Sequence, residues 1–376
     1  MIKFLHCADL HLDSPLSALD LQKAEVRRNE MRASFTSITL YAATNKLDFL
    51  LISGDLFDSD YVTKDTVALI TSEFAKIPDC KVIIAPGNHD PYTKQSCYRR
   101  ADFPDNVYIF DSSELSCFDF PDKNTTIYGW AFTEPSLDFC PAEHFKPENP
   151  DRINILAVHA DYGTSQSAYC PLPENIAAGC GVDYIALGHI HKFSGINQVG
   201  RTYYAYPGCV EGRGFDECGP KGVIIGAIDK SGGQAQLAAK FLPLSKCIYE
   251  LERLDVTGAE TNADVCEKIS SLIAERHYDD KTALRLILTG NVSSGLRLSQ
   301  SYIAGQFPRL FTLELVDETS PLFDAATLRC DPTIRGALYA SLADMLEGDD
   351  QAQRETAALA LRYGLAALSD GDIIDF

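Results

Sequence analysis

Short apolar runs alternate with stretches of helical periodicity through the first part of the chain. Residues 1–9, Asp48–Ser53 and Lys81–Ala85 predict strands. Between them, Leu21 to about Asn45 carries Phe35, Ile38 and Tyr41 at helical spacing, and Thr66–Lys76 predicts a second helix. This β-α-β-α-β order implies a layered α/β domain with parallel strands. From Asn106 to Trp130 short β-like segments take over (Val107–Phe110, Thr126–Tyr128), followed by a Pro-rich loop over Phe132–Asp151. Strands at Ile153–Val158 and Tyr184–Leu187 flank a polar loop and a helical piece at Glu174–Ala178. Thr202–Ala205, Gly222–Ile228 and Gln234–Phe241 add further β segments. Two sheets packed between helices hold all of this.

Near Leu242–Lys246 the character changes. Strands at Cys247–Val256, Ala283–Thr289 and Leu310–Val316, with helices at Asn262–Arg276 and Leu296–Gln306, predict a small second domain. After Pro321 the pattern turns helical, chiefly over Thr333–Glu347 and Gln351–Leu368. Leu338, Leu342, Met345 and Leu346 share one face of the first of these helices. Leu359, Leu361, Leu365 and Leu368 do so on the second. Such stripes pack a helix on its own domain or dock a partner helix. The predicted division is 1–243, 244–320 and 321–376.

The polar residues that follow the apolar runs carry the chemistry. Val82-Ile83-Ile84-Ala85 leads into Pro86-Gly87-Asn88-His89-Asp90, a tight turn bearing an amide, an imidazole and a carboxylate. Four other strand ends carry similar cargo: Asp9-Leu10-His11, Gly54-Asp55, His159 and Gly188-His189-Ile190-His191. Open α/β sheets keep their ligands at the carboxyl ends of strands. One histidine in such a place is an ordinary structural residue. Five of the chain's eight, with carboxylates between them, read as a metal site, and a double one.

The ordered set Asp-x-His, Gly-Asp, Gly-Asn-His-Asp, His, Gly-His-x-His resembles the calcineurin-like metallophosphoesterase superfamily, across roughly the first 190 residues. A finer resemblance is to SbcD-like DNA repair exonucleases of the shorter YhaO type. It rests on Ala8-Asp9-Leu10-His11-Leu12-Asp13-Ser14-Pro15, Tyr206-Pro207-Gly208, Glu211-Gly212-Arg213 and Gly219-Pro220-Lys221-Gly222. The resemblance implies an αββα sandwich, an α+β capping domain and C-terminal helices that grip the coiled coil of an SMC-like ATPase. It implies one metal on Asp9, His11 and His191, a second on Asn88, His159 and His189, and Asp55 bridging them. His89 would protonate the leaving oxygen, and Asp90 would hold its ring or serve as a plain turn residue. The mixed oxygen and imidazole set suits manganese, iron or zinc, manganese foremost.

Composition tests that reading in four ways. At 376 residues the chain exceeds one core of usual size. No run approaches the roughly 20 apolar residues of a membrane span, and Asp9 interrupts the N-terminus too early for a signal peptide, so a cytoplasmic protein without membrane contact is expected. Twelve cysteines lack any Cys-x-x-Cys pair and read as reduced thiols, Cys7 and Cys209 beside the site included. The net charge of −20 is the awkward one, because a DNA enzyme needs a basic footprint. Arg27, Arg28, Lys94, Arg99, Arg100, Lys192 and Arg213 are the candidates for it. The expected activity is a manganese-dependent DNA exo- or endonuclease; a small-molecule phosphodiesterase, a phosphoprotein phosphatase and a non-catalytic scaffold are the alternatives, and a homodimer is left open.

Overall fold

Neighbouring residues in the first apolar runs belong to two different cores, as strands buried on both faces require. The computed structural model describes residues 1–59, 61–293, 296–322 and 325–368. It separates into two compact units, Met1–Tyr249 and Glu250–Phe376. The first opens with β1 (Ile2–Cys7), α1 (Leu21–Asn45), β2 (Phe49–Ile52), α2 (Lys64–Ala75), β3 (Lys81–Ile84), α3 (Cys97–Arg100) and β4 (Val107–Ile109). There follow β5 (Ser116–Phe120), β6 (Thr125–Gly129), β7 (Ile153–His159), β8 (Asp161–Tyr162), β9 (Pro171–Leu172) and α4 (Glu174–Gly179). β10 (Tyr184–Gly188), β11 (Asn197–Val199), β12 (Thr202–Ala205), β13 (Gly222–Asp229) and β14 (Gln236–Pro243) complete it.

Two six-stranded sheets result, in the orders β14-β13-β1-β2-β3-β4 and β11-β12-β10-β7-β6-β5. β1 to β4 run parallel in the first, and β12, β10, β7 and β6 run parallel in the second. Leu5, Leu50, Ile52, Val82 and Ile84 pack against Phe35 and Ile38 of α1 and Phe74 of α2. Phe4, Phe49, Leu51 and Ile83 point the other way, into a core shared with Ile155 and Ala157 of β7 and Tyr184 and Ala186 of β10. Leu156, Val158, Ile185 and Leu187 face a third core under Trp130, Phe132 and Ala177 of α4. Two sheets packed between helices are what the pattern predicts, and their layering is the αββα sandwich that the resemblance implies.

α1 starts where Asp20 accepts the Lys23 amide at 2.8 Å and stops where Lys46 turns left-handed. Sequence reasoning missed β5, whose Ser116-Cys117-Phe118-Asp119-Phe120 buries only Phe120 and half-buries Phe118. It also missed α3, β8, β9 and β11, which are two to four residues long and too short to show a period.

The second unit takes up β15 (Ile248–Asp255) from Glu250 onward, then α5 (Asn262–Arg276), β16 (Thr282–Thr289), β17 (Asn291–Ser293), α6 (Gln300–Gly305), β18 (Thr312–Asp317) and β19 (Ser320–Leu322). Helices α7 (Ala325–Cys330), α8 (Ile334–Glu347) and α9 (Gln351–Ala367) follow. β15, β16 and β18 form one sheet, and Thr261 and Asp264 close a capping box on α5. The helical stripes divide: Leu361 and Leu365 are buried with Tyr339, and Leu338, Leu342 and Leu346 pack against them, whereas Leu359 is 49% exposed; Ile334, outside the stripes, is 66% exposed. No described helix is long and apolar enough to cross a membrane.

Candidate metal centre

Both sheets deliver their parallel strands' carboxyl ends to one place. The loop after β1 carries Asp9 and His11, that after β2 carries Asp55, and that after β3 carries Asn88; His159 ends β7, and His189 and His191 follow β10. Asp55 Oδ2 is 3.7 Å from His11 Nε2 and 3.5 Å from His159 Nε2. Asp9 Oδ1 is 3.8 Å from His191 Nε2 and 4.0 Å from His159 Nδ1. Asn88 Oδ1 is 2.9 Å from His159 Nε2, and the His189 ring lies 5.2 Å from that of His159. All seven residues singled out as ligands therefore converge.

The backbone is bent to achieve this. Asp9, His11, Asp55 and His189 all have positive φ, at 52°, 45°, 51° and 109°. Conformations so unfavourable for side-chain-bearing residues persist where the surroundings over-determine them, typically at functional sites. At Gly188 the sheets leave no room for a side chain: a Cβ there would lie 1.7 Å from the Ser53 carbonyl oxygen. That carbonyl in turn lies 3.0 Å from His159 Nδ1.

The hydrogen-bond partners show what the imidazoles present inward. His159 Nδ1 faces a carbonyl and donates to it, which leaves Nε2 turned toward the Asn88 side-chain amide. His191 Nδ1 donates to Glu217 Oε1 at 2.6 Å. His11 Nδ1 lies 3.1 Å from Asp58 Oδ1, an ion-pair distance without hydrogen-bond alignment. The Nε2 atoms of His11 and His191 then face one another at 3.2 Å. With Nδ1 donating to Glu217, His191 turns an Nε2 lone pair inward beside His11 and the Asp9 and Asp55 carboxylates, and this donor set fits a divalent metal. Burial, and then the neighbouring His159, pushes the His189 pKa down to about 4, and burial lowers that of His11, which favours the neutral ligand form.

His89 and Asp90 part company. The His89 ring is exposed, 4.9 Å from that of His11, with Nδ1 3.2 Å from the Asp58 carbonyl oxygen. Asp90 does not hold this ring, contrary to the expectation. Its carboxylate is buried and accepts from Gly87 N at 2.7 Å, Asp55 N at 3.2 Å, Phe57 N at 3.1 Å and the Tyr98 hydroxyl at 2.5 Å. It organises the turn instead. Burial and the nearby Asp55 raise its pKa to about 7.

The basic candidates divide too. Arg27 is fully buried on Glu211, Glu30 and the Gly212 carbonyl, and so faces no substrate. Arg28 is paired with Glu25. Lys94, Arg99, Arg100 and Lys192 are exposed, Arg99 lying over the Tyr92 ring. Asp13 ties the first ligand loop to the helices, accepting from Arg32 Nη2 at 2.8 Å and the Thr66 hydroxyl at 2.7 Å. Cys7 and Cys209 are buried thiols with raised pKa, Cys209 Sγ lying 3.7 Å from Glu217 Oε2.

Sequence reasoning missed Asp58, Glu217 and Tyr169. Asp58 follows Asp55 at a spacing of three, a signal that was there to use. Glu217 follows Arg213 by four residues in an irregular loop and carries no such signal. The Tyr169 ring packs 4.9 Å from that of His189.

The comparisons bear on this site. The family model of the calcineurin-like phosphoesterases matches residues 2–193. The chain is 25% identical to the "uncharacterized metallophosphoesterase YhaO" of Bacillus subtilis (strain 168), over 92% of this chain and 90% of that protein. It is 24% identical to the SbcD component of the nuclease SbcCD of Staphylococcus epidermidis, over 68% of this chain and 72% of that one. Among solved structures, TT1561 of Thermus thermophilus aligns at 9% identity and a TM-score of 0.37, over 63% of this chain and 98% of its own.

Proposed function

This chain belongs to the calcineurin-like phosphoesterase family, and we propose that its converging donors hold two divalent cations, manganese foremost, that serve hydrolysis of DNA phosphodiesters. Asp9, His11 and His191 make one position and Asn88, His159 and His189 the other, with Asp55 shared between them. The observation that carries the reading is the convergence of two buried carboxylates with the imidazole nitrogens of His11, His159 and His191 and the Asn88 amide, Asp55 Oδ2 lying 3.7 Å from His11 Nε2 and 3.5 Å from His159 Nε2 and Asp9 Oδ1 3.8 Å from His191 Nε2. When bound, such a pair of ions supplies charge neutralisation at the phosphate and a water of lowered pKa. His89, with Nδ1–H set against the Asp58 carbonyl, presents Nε2 from an exposed ring and, when protonated, gives its proton to the leaving oxygen.

Three things favour DNA over a small diester. One is the relationship to a component of a nuclease. Another is an aromatic ring, Tyr169, 40% exposed against a ligand imidazole, of the kind on which bases stack. The third is where the acidic charge lies. Residues 1–249 hold 22 basic and 31 acidic residues, a net −9; residues 250–376 hold 11 and 22, a net −11 over half the length. The acidic excess is thus more than twice as dense outside the unit that carries the centre. Within this reading, residues 321–376 offer their exposed Ile334 and Leu359 to the coiled coil of an SMC-like ATPase.

The test is degradation of linear DNA with manganese at two salt concentrations, beside cyclic and linear small diesters. Manganese-dependent loss of DNA, weakening steeply with salt and absent in Asp55→Ala, is expected. Turnover of a small diester with DNA untouched, even with an ATPase partner added, would assign the centre to a small-molecule phosphodiesterase.

A further inference from the structure

Arg213 lies beside the metal centre, and none of its contacts is to a ligand oxygen. Its Nη1 is 2.9 Å from Asp58 Oδ1, its Nη2 is 3.2 Å from Glu217 Oε1, and the same Nη2 is 3.3 Å from His191 Nδ1. Its backbone amide donates to Glu217 Oε2 at 2.7 Å. These two carboxylates are the ones that meet His11 Nδ1 and His191 Nδ1. One planar guanidinium therefore grips both groups that set the rings of two ligands, which reach the centre from different sheets.

We propose that Arg213 is a positioning residue for the Asp9–His11–His191 metal position alone: by fixing Asp58 and Glu217 it aims the His11 and His191 rings at one point. The inference rests on the two-metal reading above. Arginine suits the task because its rigid fork holds two carboxylates at a fixed separation, which an ammonium does not. The side chain is 22% exposed, and its Nη1 and Nη2 meet Asp58 and Glu217 respectively. The Asn88–His159–His189 position has no share in the arrangement. His159 is set by the Ser53 carbonyl, across the sheet interface. Partners that orient a ligand in this way are worth about 10- to 100-fold in metal affinity.

The experiment compares the full chain with Arg213→Lys and Arg213→Met, each stripped of metal and titrated with manganese by calorimetry and electron paramagnetic resonance. The wild type is expected to bind two ions. In Arg213→Met one of them weakens by about 10-fold or more while the other keeps its affinity. Arg213→Lys lies between, since it keeps the charge and loses the fork. Bis(p-nitrophenyl) phosphate turnover follows suit, with the manganese requirement shifted upward and kcat recovered at saturating metal. Two ions bound as tightly by Arg213→Met as by the wild type would overturn the inference and leave the two-metal reading standing. So would a kcat at saturating manganese lowered about 100-fold with binding intact, which would make Arg213 a contact of the reacting phosphate. Fewer than two ions in the wild type would overturn the reading itself. Glu217→Gln guards against a misfolded Arg213 variant. It keeps an acceptor for His191 and loses the charge that holds the guanidinium, so the same single ion must weaken.

Discussion

The two halves of the centre are built from different materials. His159 is set by a main-chain carbonyl, Ser53, at the end of β2, while His11 and His191 are set by the side-chain carboxylates of Asp58 and Glu217. The first arrangement is part of the sandwich itself. Ser53 also donates its hydroxyl to the Ala186 carbonyl of the other sheet at 2.9 Å, so the distance between sheets and the aim of His159 are one quantity. The second arrangement sets Arg213 and Glu217, from the loop between β12 and β13, against Asp58 of the loop after β2, where a charge network substitutes for backbone. Burial alone would raise the Glu217 pKa, but the His191 hydrogen bond and the Arg213 charge bring it down to about 2. A half held by backbone should resist side-chain changes and break with the fold; a half held by carboxylates should be adjustable.

The largest effect is expected where the halves meet. Asp55 Oδ2 is within 3.7 Å of His11 Nε2 and 3.5 Å of His159 Nε2, so Asp55→Ala should empty both positions. Turnover of a chromogenic diester should fall by roughly 10³-fold or more, several kcal/mol of lost charge stabilisation. Metal analysis checks it: retention of one tightly held ion would show that the carboxylate belongs to a single half.

His89→Ala comes next. The ring sits near the His11 side but is not among the converging donors, so metal content should survive while kcat falls by about 10²-fold. Loss of an ion in this variant would move His89 from the acid to the ligands.

Much of this was legible in the sequence, and the boundary is physical. The seven candidate ligands sit just beyond apolar strands, and a strand end is a place that periodicity fixes. Asp90 was legible as a residue of the turn but not in its task. Its neighbour in sequence, His89, leans on Asp58, while Asp90 collects the amides of Gly87, Asp55 and Phe57, and such main-chain convergence has no signature in side-chain type. Arg27 illustrates the same limit. A basic helix start suggests a solvated or phosphate-facing surface, yet Glu211, far along the chain, draws Arg27 into full burial. Pairings across 184 residues are invisible to local pattern.

Gly188→Ala tests the backbone-held half directly. The added methyl would meet the Ser53 carbonyl at 1.7 Å, so the sheets must separate. Overpacking of this kind costs about 1–3 kcal/mol, and the apparent melting temperature should drop by several degrees. Manganese affinity should weaken at the His159 position more than at the His191 position. An equal loss at both, with unchanged melting, would show that the sheet spacing does not set His159.

The smallest effect asks whether the backbone-held half also meets the substrate. Tyr169 stands between Ala168 and Cys170, which are pinned to Leu137 by two backbone hydrogen bonds of 2.8 and 2.6 Å. Its ring therefore has a defined place against His189, tilted 36° to it, while the residue stays 40% exposed. An exposed aromatic face beside the scissile phosphate would take a base, and such stacking is worth about 1–3 kcal/mol. Tyr169→Ala should raise KM for single-stranded DNA by about 10-fold and leave a small alkyl diester unaffected. Tyr169→Phe should behave as the wild type, because the face and not the hydroxyl makes the contact. Steady-state kinetics on the two substrates separates the possibilities. If Tyr169→Ala instead lowers metal content and slows both substrates alike, the ring serves to steady His189, and this half relies on a side chain after all.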